Sequence, residues 1–187
     1  MKRAKKKAAR ASLPGDRRKR AMVERMIRVD HAGEFGAQRI YAGQLAVLGQ
    51  GKAGRVLRHM AAQEDRHLAA FEKKINERRV RPTALHPLWH VAGFALGALT
   101  ARLGEKAAMA CTVAVEEVID EHYKRQLAAL GDDERDLRQL IKKFHDEEIE
   151  HKHTALDAGA EDLPYYPLLR ALIRAGSKTA IWLSERI

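Results

Sequence analysis

A chain of 187 residues with ordinary apolar content and few aromatics has room for one domain with a sizeable core. The formal net charge is +10, but residues 1–20 hold ten Lys or Arg against Asp16 alone, a balance of +9 that leaves +1 for everything after them. The basic character belongs to a tail, which argues against a fold built as a nucleic-acid surface.

That tail has almost nothing to bury and reads as disordered. Anionic lipid, nucleic acid or a targeting receptor would suit it as partner. No apolar h-region follows it, so no secretory signal peptide is expected. Cys111 is the only cysteine, which excludes an intrachain disulfide. Within the apolar run 107–115 it reads as a small buried hydrophobe.

The five prolines stand at 14, 82, 87, 164 and 167, which leaves long stretches free to be helical. From Met22 to Leu48 the apolar positions Met26, Val29, Ala37, Tyr41, Leu45 and Leu48 lie on one helix face, and Gly49-Gln50-Gly51 ends the run. A strongly charged helix over 53–79 follows, with Leu57, Met60, Leu68, Phe71 and Ile75 as apolar positions and Arg81-Pro82 as its stop. Residues 84–101 contain no Asp, Glu, Lys or Arg. The run suits a buried crossover helix and equally a helix lying in a membrane interface.

A third bundle helix is expected over 105–130, ended by Gly131. Asp132 or Asp133 is placed to cap a fourth, which runs to Asp157. Beyond Pro164 and Pro167, a last helix sets Leu168, Leu172, Ile173, Ile181 and Leu183 beside Arg170, Arg174 and Lys178. That amphipathic pattern suits an anionic membrane surface or docking onto the bundle. The reading is all-α: a basic tail at 1–20, then a bundle domain at 21–187 with an apolar crossover helix and a C-terminal amphipathic helix.

One pattern occurs twice. Glu34 and Tyr41 are followed by Glu64 and His67; Glu116 and Tyr123 are followed by Glu148 and His151. Spacings of seven and of three each put the pair on one helix face. Four carboxylates and two imidazoles on four helices make the ligand set of a carboxylate-bridged dimetal site. A third Glu-x-x-His, Glu150–His153, points away from Glu148–His151, whose phase matches Leu137, Leu140 and Phe144; it reads as a solvated pair. Four glutamates and two neutral histidines balance two divalent ions, and the oxygen-rich set suits iron or manganese over zinc. Glu64 and Glu148 are expected to bridge, with Glu34 and Glu116 terminal. Asp30, Asp120 and Asp146 are candidates for orienting the imidazoles. Tyr41 and Tyr123, the candidate catalytic side chains, suit core hydrogen bonding or the shuttling of protons or electrons.

The segments Arg28–Ala37, Ile40–Gln44, Gln63–Leu68, Arg79–Thr83, Gly93–Ala98, Met109–Glu117, Asp146–His151 and Ala180–Arg186 resemble, in order, the demethoxyubiquinone hydroxylase family. The resemblance covers residues 21–187 and leaves out the tail. It implies a ferritin-like di-iron monooxygenase of ubiquinone biosynthesis. Such an enzyme uses O2 to hydroxylate the ring of a polyprenylated demethoxy-benzoquinone. It implies two iron ions on Glu34, Glu64, His67, Glu116, Glu148 and His151. It also implies that the apolar segment and the last helix lie against a membrane. The face would be the cytoplasmic face of the inner membrane in a bacterium, or the matrix face of the mitochondrial inner membrane in a eukaryote.

Electrons would come from outside the chain, from pyridine nucleotide or a reductase, since no Gly-x-Gly-x-x-Gly fingerprint is present. A lipid-presenting partner protein or a second copy of the chain is a further expected partner; nucleic acid is not. A ferritin-like iron-storage protein would share the six ligands, but a soluble shell gains nothing from the run at 84–101.

Overall fold

The computed structural model describes residues 14–187. They form six α-helices: α1 (Pro14–Leu48), α2 (Gly51–Arg78), α3 (His86–Arg102), α4 (Glu105–Ala129), α5 (Arg135–Asp157) and α6 (Tyr166–Ser184). No strand occurs among the described residues. The helix α1 begins at Pro14, where a proline without an N–H is well tolerated. Residues 14–20, read from sequence as part of the tail, are therefore helical; the rest of the tail, 1–13, lies outside the described residues.

The order is two long helices and a shorter apolar one, repeated. The helix α2 packs on α1 and α5 on α4; α3 packs on α1 and α6 on α4. Thus α6 is the second half's counterpart of α3. The α1–α3 crossing is close because it is lined by glycine: a Cβ at Gly43 would overlap the Phe94 carbonyl, and one at Gly97 the Ile40 carbonyl.

The helix ends follow local chemistry. Arg79 turns left-handed at φ 53°, the Val80 N–H returns to the Ile75 carbonyl at 3.0 Å, and Pro82 prevents continuation. Neither Asp132 nor Asp133 caps α5 as expected. Both lie in a 3-10 turn, no side chain caps α5 from Glu134, and Asp133 instead pairs with Lys19 on α1.

Two apolar clusters fill the bundle. One gathers Tyr41, Leu57, Met60, Met109 and Val113; the other gathers Ile27, Phe71, Tyr123, Leu137, Ile141 and Phe144. Each such large side chain contributes roughly 1.5–3 kcal/mol by leaving water. Together they enclose the polar layer described next. Cys111 is fully buried in a third cluster, and burial pushes its thiol up to about 12, so it is an inert hydrophobe.

Candidate metal centre

Helical phase delivers each side chain of the polar layer. Glu34 comes from α1, Glu64 and His67 from α2, Glu116 from α4, and Glu148 and His151 from α5; all six are at most 3 % exposed. Their ligand atoms fall into two groups, each within 4.8 Å: Glu34, Glu64, His67 and Glu148, and Glu64, Glu116, Glu148 and His151. The groups share Glu64 and Glu148, the two glutamates expected to bridge. Glu150 and His153 are exposed, as a solvated pair should be.

The hydrogen bonds cross between the halves. The Tyr41 hydroxyl donates to Glu116 Oε1 at 3.3 Å, and the Tyr123 hydroxyl donates to Glu34 Oε1. Each tyrosine thus serves the glutamate of the other half, which requires α1 and α4 to run antiparallel. Burial, then the charges of Glu116 on Tyr41 and of Glu34 on Tyr123, hold both phenols well above their ordinary value, so they remain donors.

The imidazoles are oriented by residues that the spacing argument did not select. His67 Nε2 lies 2.8 Å from Glu147 Oε2, and His151 Nε2 lies 3.0 Å from Gln63 Oε1. Both ring nitrogens act as donors there, leaving Nδ1 toward the carboxylates. Asp30, Asp120 and Asp146 are engaged elsewhere: Asp30 with His122 and Gln126, Asp120 with His145 and Lys124, Asp146 with Lys142. The signal for the true pair was the repeat itself, since Gln63 and Glu147 hold the same place, just before the glutamate of each Glu-x-x-His.

The charge of this layer is suited to holding cations. Among the described residues no Lys or Arg forms an ion pair with Glu34, Glu64, Glu116 or Glu148; histidines alone pair with Glu34, Glu64 and Glu148, and Glu116 has no ion pair. Burial, then the neighbouring charge of Glu148, raises Glu64 and Glu116 well above the usual carboxylate range. Burial raises Glu34 as well. Burial opposes charge on His67 and His151 too, but hydrogen bonds to the glutamates overturn it and hold them near about 11 and about 9. Glu148, between the two rings, is held down at about 2 against the same burial.

Six ligand atoms are buried without a well-aligned hydrogen bond: Glu34 Oε2, both Glu64 oxygens, Glu116 Oε2, Glu148 Oε2 and His151 Nδ1, the last facing only Glu148 Oε2 at 2.9 Å and Glu64 Oε1 at 3.2 Å. A buried carboxylate oxygen left in that state is costly unless a cation takes it. The set fits two divalent ions.

Beside this layer lies an apolar cavity of about 280 Å³ between α1, α3, α4 and α6. Glu34 and Tyr123 stand in its wall; Gly33, Gly36, Ala37 and Ile40 line it from α1, Trp89, Gly93 and Leu96 from α3, and Gly176, Ala180 and Ile181 from α6. Both apolar helices turn side chains outward, Val91 and Leu99 on α3 and Leu168, Leu172 and Trp182 on α6. No helix among the described residues is long and apolar enough to cross a membrane. Arg170 and Arg174 tie α6 to Glu117 of α4 at 2.8 and 2.6 Å, so these basic residues serve docking onto the bundle.

Residues 21–184 match the family described as "Ubiquinone biosynthesis protein COQ7". The chain is 58 % identical over 183 residues to "3-demethoxyubiquinol 3-hydroxylase" of Rhodospirillum rubrum, covering 97 % of this chain and 86 % of the relative. It is 55 % identical over 172 residues to the human "NADPH-dependent 3-demethoxyubiquinone 3-hydroxylase, mitochondrial", covering 90 % and 79 %. It is 40 % identical over 184 residues to "5-demethoxyubiquinone hydroxylase, mitochondrial" of Saccharomyces cerevisiae, covering 89 % and 79 %.

Proposed function

The chain belongs to the ubiquinone biosynthesis protein COQ7 family, and from that membership and its buried carboxylates we propose that it is a di-iron monooxygenase that hydroxylates the ring of a polyprenylated demethoxy-benzoquinone. The observation that carries the metal half of this reading is the cluster of orphaned carboxylate oxygens. Glu34, Glu64, His67 and Glu148 would hold one iron, and Glu64, Glu116, Glu148 and His151 the other, in a ferritin-like bundle. When bound, the iron pair supplies the activation of O2.

The chain's own side chains do the rest. Glu147 and Gln63 fix the two imidazoles so that Nδ1 faces inward. Tyr41 and Tyr123 keep Glu116 and Glu34 in place and stand ready to pass a proton or electron; Tyr123, in the cavity wall, is the one nearest a bound ring. The cavity takes an apolar ring and excludes water, and its walls on α3 and α6 let a prenyl tail leave toward the outward apolar faces. A peripheral seat on a membrane would cover those faces. In a bacterium it would be the cytoplasmic face of the inner membrane, and in a eukaryote the matrix face of the mitochondrial inner membrane. Pyridine nucleotide or a reductase supplies electrons, in keeping with the NADPH dependence in the human relative's name.

Metal analysis of protein from iron-replete cells should find two irons per chain, and expression in a hydroxylase-deficient strain should restore the hydroxylated quinone. Iron-loaded protein that leaves the demethoxy-quinone unchanged would sink the proposal.

A further inference from the structure

A second recess of about 240 Å³ opens beside the apolar cavity, bounded by Arg25, Met26, Arg125, Gln126 and Glu185. Two residues line both spaces, Val29 and His122, and of these only His122, on α4 and 7 % exposed, is titratable. Its Nε2 lies 3.1 Å from Oδ1 of Asp30, which lines the apolar cavity and is itself 3 % exposed. The Gln126 amide nitrogen donates to that oxygen at 2.7 Å and stands 2.8 Å from His122 Nε2, so the three side chains form one polar cluster. The other Asp30 oxygen, Oδ2, is buried without a partner. An acid buried among apolar groups for structure alone is expensive, and this one is only half satisfied. Neither residue belongs to the metal cluster, whose imidazoles have their own partners.

Resting on the hydroxylase reading, we propose that Asp30 and His122 form a proton relay from the arginine-flanked recess into the apolar cavity. The reaction needs one. A ring C–H, O2, two electrons from a reduced pyridine nucleotide or reductase, and two protons give a ring C–OH and one water. The cavity that holds the ring is otherwise poor in titratable groups: Glu34 and Tyr123 are bonded to each other, and Ser184 is held by the Trp89 N–H. In the relay, His122 gives its Nε2 proton to Asp30 as Nδ1 takes one from the recess. Asp30 then delivers through Oδ2 toward the oxygen that departs as water. Burial raises the Asp30 pKa, which suits a group that must carry a proton and release it. The charged and titratable groups facing His122 are Asp30 and Arg25 from α1, Tyr123 and Arg125 from α4, and Glu185 beyond α6.

The test uses the iron-loaded, full-length enzyme with a short-tailed demethoxy-quinone. His122→Ala and Asp30→Asn should keep iron content and KM but lower kcat by about 10²-fold or more, the range of a lost acid–base group. The solvent deuterium isotope effect should rise, and added imidazole should restore part of the rate of His122→Ala. Wild-type kcat in either variant would overturn the relay. So would a loss that imidazole does not relieve and that leaves the isotope effect unchanged, since that is a packing defect. Iron-loaded wild type that makes no hydroxylated product would instead overturn the hydroxylase reading, and the relay with it.

Discussion

Gln63 and Glu147 show what single side chains do here. Each precedes a glutamate of its own helix and holds the histidine of the facing one. Removing such a partner usually costs 10–100-fold in metal affinity. Glu147→Ala and Gln63→Ala should therefore weaken iron binding by about that factor, read by competition with a ferrous chelator, while the helices remain. Glu148→Ala should go further and abolish both turnover and stable loading, because it takes an oxygen from both groups. Glycine makes the opposite case. A Cβ at Gly33 or Gly36 meets nothing within 4 Å, yet both positions line the cavity. Alanine in a helix interior gains roughly 0.8–1.0 kcal/mol over glycine. Gly36→Ala should thus melt higher and bind long-tailed quinone more weakly, seen as a raised KM. All six candidate ligands were legible in the sequence because a helix writes its face into spacings of three and seven. Gln63 and Glu147 show in the sequence only as matching places in the repeat, and the crossed tyrosine bonds do not show at all, because spacing records neighbours along one helix and these contacts join different helices.

At the scale of the element, α3 and α6 carry the outward apolar faces. Replacing Leu88 and Leu172, 51 % and 63 % exposed, by Glu should weaken binding to anionic vesicles in a flotation assay and leave turnover of a soluble quinone unchanged. The helix α6 is also held by charge. Arg174 and Lys178 pair with Glu121, and hydrogen bonds from Lys178 and Arg174 hold its carboxyl down at about 2. A depressed carboxyl contributes stability above its unfolded value, about 4.3, that is lost as pH falls toward the folded one. Amides of α6 should therefore exchange faster between pH 4.5 and 2, ahead of those of α4. The existence of all six helices could be read from periodicity, glycine and proline. The start of α1 at Pro14 could not, because a basic composition hides a helix whose first turns pair with Asp133 across the bundle. Asp132 and Asp133 do not cap α5 because both lie in the 3-10 turn before it, which leaves Glu134 at the helix start.

For the whole molecule, metal and protons compete for one cluster. Glu34, Glu64 and Glu116 have raised pKa values, so ionising them without a cation destabilises the fold as pH climbs above about 4.3. His67 and His151 add stability that is complete below about 6.5 and fades as pH passes about 9 and about 11. Glu148 acts the other way, but only in acid. Metal-free protein should thus melt at lower temperature at pH 8.5 than at pH 6. The iron-loaded form should lose far less over that range, and iron affinity should rise with pH as binding expels protons. A melting curve for the metal-free form that is flat with pH would count against this account.

The crossed bonding has a consequence for how the chain can be cut. Between α3 and α4 the backbone passes through Leu103 and Gly104, the latter at φ +113°, with nothing within 4 Å of where a side chain would be. Severed there, each fragment keeps one Glu-x-x-His yet lacks the tyrosine and the imidazole partner that the other supplies. Alone, neither piece is equipped to retain its iron; co-expressed, the two should reassemble into a working enzyme by complementation.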